Sequence, residues 1–175
     1  MNFDVKGPYV IKRFGPKKLI TDESLDELKI SIGDDDLISG CGCYVFAIRA
    51  GKGYTPWYVG QASKTKLLNE AMNSSNREKY NMVSAKYAGN PVLFLLPKRT
   101  KGGKLASPTE KADGNLHSVN FLEEWLIATA LQKNPNLVNK KKTFFLKNLH
   151  VKGIFNPRKG EATLESGELK KALFK

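Results

Sequence analysis

Glu123 is an acid set among apolar residues. With the segment 118–133 placed at about 100° per residue, Val119, Leu122, Leu126, Ile127 and Ala130 form one helix face, and Glu123 falls inside that arc. Glu124 lies about 100° further round, where a solvated acid belongs. An unpaired buried carboxylate costs several kcal/mol, so charge is tolerated there only with a partner or a metal. Three structural explanations stand beside a functional one. The helix could begin at Asn120, with Glu123 as the fourth residue of a capping box; the acid could pair with a buried lysine; or it could lie at the edge of the packed face. Cys41 and Cys43 are the other chemically notable pair, but no second cysteine pair or His-x-His follows to complete a zinc site, and His117 and His150 stand apart. Two small strand residues is the simpler reading of the cysteines, and a reducing compartment their natural home.

The elements that would position Glu123 are legible in outline. Cys43 to Ala50 is rich in aromatic and β-branched residues and predicts a strand; Gly51 to Pro56 is turn chemistry, and Trp57-Tyr58-Val59 predicts a second short strand. Ser63 or Thr65 can cap a helix running to about Met72. Ser75-Asn76-Arg77-Glu78 reads as a capping box, opening a helix with Tyr80, Val83 and Tyr87 on one face and ending near Gly89. Val92 to Leu96, between two prolines, predicts a fully buried strand. Lys98 to Gly114 predicts a mobile basic loop, and a helix over about Ser118–Lys133 follows, stopped by Asn134-Pro135. Upstream, Asp22 to Leu28 predicts a short acidic helix and Gly33 to Asp36 a turn or loop. Downstream lie an apolar piece at Thr143 to Leu146, a turn at Gly153 to Gly160 and a short helix near Glu165 to Leu173. The sum is an α+β arrangement.

The 175 residues carry 29 Lys+Arg against 17 Asp+Glu, a formal net charge of +12. Of those cations 22 fall in residues 51–175, so the excess belongs to that part of the chain. Clusters recur at Lys98-Arg99-Thr100-Lys101, Lys140-Lys141-Lys142, Arg158-Lys159 and Lys170-Lys171. A positive excess of this kind favours a polyanion through counterion release, nucleic acid foremost. The longest apolar runs, Cys43–Ile48 and Val92–Leu96, are six and five residues, whereas a bilayer-spanning helix needs about 20. No membrane span is expected, and the N-terminal residues lack the basic-then-apolar order of a secretory signal, so a cytoplasmic location is expected.

Gly42-Cys43-Tyr44, followed fourteen residues after Tyr44 by Tyr58-Val59-Gly60, resembles the paired strand signature of the GIY-YIG nuclease superfamily. That family also has a distal helix with an acid in the pattern Glu-x-x-Leu-Ile, then Pro and Asn. Glu123-Glu124-Trp125-Leu126-Ile127 matches it in register, with Pro135 and Asn136 or Asn139 beyond. The resemblance covers roughly residues 40–140. It implies a small, mainly antiparallel central sheet flanked by helices as the catalytic core, with residues 1–39 an N-terminal accessory segment and 141–175 a C-terminal extension packing on that core, a single domain overall. It implies a metal-dependent DNA endonuclease in which Glu123 holds Mg2+ or Mn2+, Gly42 and Gly60 are structural, and Tyr44 and Tyr58 share the work. One tyrosine would act as general base and the other would position water or phosphate, with no assignment between them.

The resemblance has one gap. Family members often carry an arginine about eight residues past the second motif; here that position is Leu68. Arg77 and Lys79, at the start of the next helix, are the candidates to replace it, with Lys64 and Lys66 nearer by. A free tyrosine has a pKa near ~10, so a tyrosine base needs such cations. Glu70 reads as a surface partner of Lys66 at i, i+4. Lys64, Lys66, Lys98, Arg99, Lys101, Lys140, Lys141 and Lys142 are the expected DNA-contacting cations. The missing arginine also keeps open a catalytically inactive nucleic-acid-binding module of the same fold, and a basic RNA-associated protein with stacking tyrosines is a third reading. No separate DNA-binding module is recognisable, so selectivity would come from the N-terminus, the Lys98–Lys111 loop, the C-terminal tail or a protein partner for targeting.

Overall fold

In a computed structural model of the chain, described over residues 2–108, 114–139, 143 and 163–173, the fold is α+β with an antiparallel sheet flanked by helices. Two compact units are present, Met1–Val138 and Asn139–Lys175. In the first, strands β1 (Asn2–Phe3), β2 (Lys6–Val10), β3 (Gly42–Ala50), β4 (Gly53–Ala62) and β5 (Asn90–Arg99) form one sheet in the order β1-β5-β3-β4, with β2 also on β5. Residues 2–10, read from sequence as accessory, thus extend the sheet along the edge of β5.

β3 and β4 form a longer and tighter hairpin than the turn residues predict. Ala50 pairs with Gly53, leaving only Gly51-Lys52 as the loop, and Gly51 supplies the positive φ (56°) that a two-residue hairpin needs. The ladder continues through Pro56 because the register shifts there. Phe46 faces Tyr58 and Ala47 faces Pro56, so Trp57 is the extra residue of a bulge, the one kind of place where a strand tolerates proline. Trp57 is buried and packs tilted against Tyr87 with ring centroids 4.0 Å apart.

Alternation along β3 divides the core. Tyr44, Phe46 and Ile48 pack with Leu67, Leu68 and Tyr80 on one face, while Cys43 packs with Leu96 and Val119 on the other. The first face is covered by α1 (Asp22–Ile32), α2 (Asp35–Ser39), α3 (Leu67–Ala71) and α4 (Ser74–Lys86). The second carries α5 (Gly114–Lys133), which packs on β4 and β3. β5 is buried over most of its length, as its apolar run predicts, and extends past both prolines.

Helix boundaries follow caps that the sequence offers in competition. α1 has Asp22 and Glu23 in its first turn, Lys29 in its last and Gly33 in the left-handed region at φ 60°, each favourable at its end. Gly33 to Asp36, expected as a turn, instead starts α2, because Asp34 accepts the amide of Leu37 at 3.0 Å. α4 is capped by Asn73, whose Oδ1 accepts the Asn76 amide at 2.9 Å, and not by Ser75. α3 is a single five-residue turn starting after Lys66, with no side-chain cap from Ser63 or Thr65. The chain after β5 is an ordered return up to Ala106. Thr100 donates its amide to Lys104 O, and Ala106 donates to Lys98 O while its own carbonyl accepts from Cys41. In the second unit, α6 (Leu164–Leu173) begins at Thr163, whose amide donates to Ser166 Oγ at 2.8 Å. The expected turn at Gly153 to Gly160 and the apolar piece after Thr143 lie outside the described residues. Among the described residues no helix is long and apolar enough to cross a membrane.

Candidate active site

The two tyrosines meet because of the β3–β4 register. Tyr44 pairs directly with Gly60, and Phe46 with Tyr58, so Tyr44, Tyr58 and Gly60 share a face. A Cβ on Gly60 would lie 2.3 Å from both Cζ and the hydroxyl of Tyr44, so the ring lies over the glycine backbone and only glycine fits opposite it. Gly42 has an equivalent reason one strand over: its Cβ would meet Leu96 O at 2.1 Å, so β3 and β5 come together there only around a glycine. The rings of Tyr44 and Tyr58 are 6.2 Å apart at their centroids and tilted by 37°.

Below them sits α4. Tyr80 is fully buried, stacks on Phe46 at 4.0 Å and donates its hydroxyl to Ala71 O at 2.8 Å. Asn76, one turn earlier on the same face and 3% exposed, donates through Nδ2 to the Tyr44 hydroxyl at 2.9 Å and to Glu70 O at 2.8 Å. Its Oδ1 accepts from Lys79 Nζ at 2.9 Å, and that ammonium lies 4.6 Å from the centre of the Tyr58 ring.

The two cations proposed for the missing arginine therefore part company. Lys79 stands at the tyrosine pair. Arg77 turns away to Asp22 on α1, Nη1 to Oδ1 2.5 Å, and joins α4 to the N-terminal helix. Leu68 is fully buried in the core.

Glu123 is half-buried in the middle of α5. The helix begins at Gly114, which excludes the capping box from Asn120. Val119, Ile127 and Ala130 are buried as the helical arc predicts, and Glu124 is exposed. The negative charge of Glu123 reaches the tyrosines. Tyr58 holds its proton more tightly than a free tyrosine, first because of burial and then because of Glu123, while the neighbouring Tyr44 hydroxyl acts the other way. Tyr44 is pushed up further, mainly by burial and then by Tyr58 and Glu70, with a smaller contribution from Glu123.

Glu70 has a larger part than a surface pairing. Its Oε2 accepts from Thr65 Oγ1 at 2.9 Å and its Oε1 from Asn73 Nδ2 at 3.3 Å, and its charge raises the pKa of Tyr44, Tyr58 and Tyr80. With Lys64, Thr65, Lys66 and Asn69 it lines an open cleft.

The remaining basic candidates divide. Lys64, Lys66 and Lys101 are exposed. Lys98 is only 7% exposed, and Arg99 is paired with Asp4, with Nε 2.9 Å from both carboxylate oxygens, so that Arg99 ties β5 to the N-terminal segment. Lys140, Lys141 and Lys142 lie outside the described residues. Cys41 and Cys43 are buried thiols, and Cys43 Sγ donates to Val119 O at 3.4 Å. Past α5, the buried asparagine is Asn134, and not Asn136 or Asn139; its Nδ2 donates to Pro56 O at 2.7 Å, and Val138 N donates to Trp57 O at 2.8 Å, covering the outer edge of β4 at its bulge.

The chain matches no protein-family model, no curated protein and no solved structure. Its function must be argued from this cluster. Sequence reasoning missed Asn76, Asn73 and Asn134. For Asn76 the signal was present: it falls on the arc of Tyr80, Val83 and Tyr87, where a polar residue needs partners.

Proposed function

We propose that the chain is a metal-dependent DNA endonuclease of the GIY-YIG kind, hydrolysing phosphodiester bonds with a tyrosine-activated water and a divalent ion, Mg2+ or Mn2+, held by Glu123. The observation that carries this reading is the convergence of Tyr44, Tyr58 and the charge of Glu123, with Lys79 against the Tyr58 ring. The donor chemistry fits such an ion. Glu123 offers hard carboxylate oxygen, and its partial burial leaves it accessible to water. Among the described residues no group of three or more His, Cys, Asp or Glu gathers, so Glu123 would be the protein's carboxylate ligand, with water completing the shell. When bound, the ion supplies charge neutralisation at the phosphate oxygens.

The rest is work for this chain's own side chains. A tyrosine phenolate takes a proton from water, whose oxygen forms a bond to phosphorus. The ester bond to the leaving oxygen breaks, and that oxygen takes a proton from solvent, giving a phosphate monoester and a hydroxyl. Lys79 holds positive charge against the Tyr58 ring, which works against the burial and the Glu123 charge that raise the Tyr58 pKa.

A second reading, a nucleic-acid-binding module of this fold without activity, is favoured by one specific feature. The position of the family's helix arginine is Leu68, in the core, and Arg77 is engaged by Asp22. Incubation with supercoiled and branched DNA, with Mg2+, with Mn2+ and with chelator, separates the two. Metal-dependent nicking or cutting is expected; binding without cutting under every condition would establish the module.

A further inference from the structure

We propose that the outer face of α5 is the interface of a two-fold symmetric homodimer, in which a second copy of this chain covers Phe121 and Trp125. The inference is independent of the nuclease reading. A surface helix as a rule keeps a polar outer face, but α5 is apolar nearly all round, the pattern of a helix covered on both sides. The sheet covers one side, where Val119, Ile127 and Ala130 are buried. On the other, Phe121 and Trp125 are 62% and 63% exposed and meet edge to face at 5.7 Å. They lie about 40° apart, each about 160° round the helix from Glu123. The small Ala128 and Gln132 continue the same stripe. Thr129 adds little polarity beside it, because its hydroxyl donates back to Trp125 O at 2.9 Å.

Charge selects the occupant. The chain holds 29 Lys+Arg, yet residues 112–132 hold none, and the exposed ionised residue beside the rings is the acid Glu124. A polyanion finds no cation on this stretch to neutralise it, which disfavours nucleic acid. Two copies of a +12 chain repel one another, and a cation-free face is where they approach at the least electrostatic cost. The stripe is also self-complementary. In an antiparallel pair of α5 helices crossing near Trp125, Phe121 of each copy falls opposite Ala128 of the other, a ring against a small residue. The two Trp125 rings then meet near the two-fold axis. Fully covered rings of this kind bury roughly 150–250 Å² each, so with their flanking residues they supply an interface at the low end for a specific contact. The dimer is therefore weak and concentration-dependent. Glu123, on the far side of the helix, stays outside the joint.

The test uses the full chain without DNA or metal, by sedimentation equilibrium and by tryptophan emission. Trp57 is 6% exposed, so a change of emission with concentration reports on Trp125. A monomer–dimer equilibrium with a Kd of about 10–100 µM is expected, with Trp125 emission moving to shorter wavelength as the dimer forms. Added salt is expected to strengthen the dimer, the opposite of its effect on nucleic-acid binding. Phe121→Glu and, separately, Trp125→Ser are each expected to weaken it at least about tenfold. Their melting temperatures should change little, since both side chains are exposed in the monomer; should one variant fail to fold, the other decides. A monomer at every concentration, or a dimer that the variants retain, would refute the proposal. Shielding of Trp125 that appears only when single-stranded DNA is added would overturn it in favour of nucleic acid. Shielding that is equal at every dilution would overturn it in favour of cover by the chain's own residues.

Discussion

Gly60 and Tyr44 occupy the same space from opposite strands, and that close approach gives the paired motif a physical meaning. Gly60→Ala would put a methyl 2.3 Å from the Tyr44 hydroxyl and Cζ. The ring must move, at a cost of roughly 1–3 kcal/mol typical of overpacking, read as a lower denaturation midpoint. The sequence showed Tyr44, Tyr58 and Gly60 as a spaced pattern, but the reason for the glycine lies in the cross-strand register, which no local signal states. Glu123 was legible for the opposite reason: an acid on an apolar arc is visible from periodicity alone. Its coupling to Tyr58 has a definite sign. The negative charge raises the tyrosine's pKa, so Glu123→Gln is expected to lower the pH at which Tyr58 ionises, measured in metal-free protein as the absorbance difference from Tyr58→Phe. An upward shift would show that the two groups do not interact as described.

At the scale of elements, α4 shows how a correct helix can carry the wrong cap. Asn73, Ser74 and Ser75 are all good cap residues, and local propensity does not choose among them. The choice is made by tertiary packing, because starting at Asn73 turns Asn76 inwards to Tyr44 and Glu70. Asn73→Ala is expected to cost about 1 kcal/mol in unfolding free energy, measured by chemical denaturation, with part of the loss felt at the tyrosine pair through Asn76. β4 offers the same lesson. Pro56 reads as a strand terminator, yet the bulge at Trp57 removes the need for its missing amide, and Asn134 and Val138 satisfy the two carbonyls turned outward there.

At the scale of the whole molecule, the α+β composition and the long strands and helices were legible, whereas β1 and β2 were not. Two- and five-residue strands carry too little pattern, and their place on β5 is set by partners some 90 residues distant, Arg99 to Asp4 among them. The charge excess likewise proves a sum of different roles. Replacement of Arg99 by alanine is expected to lower the melting temperature and leave DNA affinity nearly unchanged. Replacing the exposed Lys64 and Lys66 is expected to weaken binding and to reduce the salt slope by about 0.9 for each phosphate no longer neutralised. Burial also makes the fold sensitive to alkali. Tyr44 and Tyr80 hold their protons far above the unfolded value near 10, so above that pH the native state binds more protons than the unfolded chain. Stability is expected to be intact below pH about 10 and to fall as pH rises beyond it. The central claim, that Glu123 and the tyrosines form a hydrolytic centre, is tested most directly by Glu123→Ala assayed beside the unmodified protein for Mg2+-dependent DNA cleavage and for DNA binding. The account predicts a loss of cleavage of at least about 100-fold with most of the binding retained; full cleavage by Glu123→Ala would contradict it.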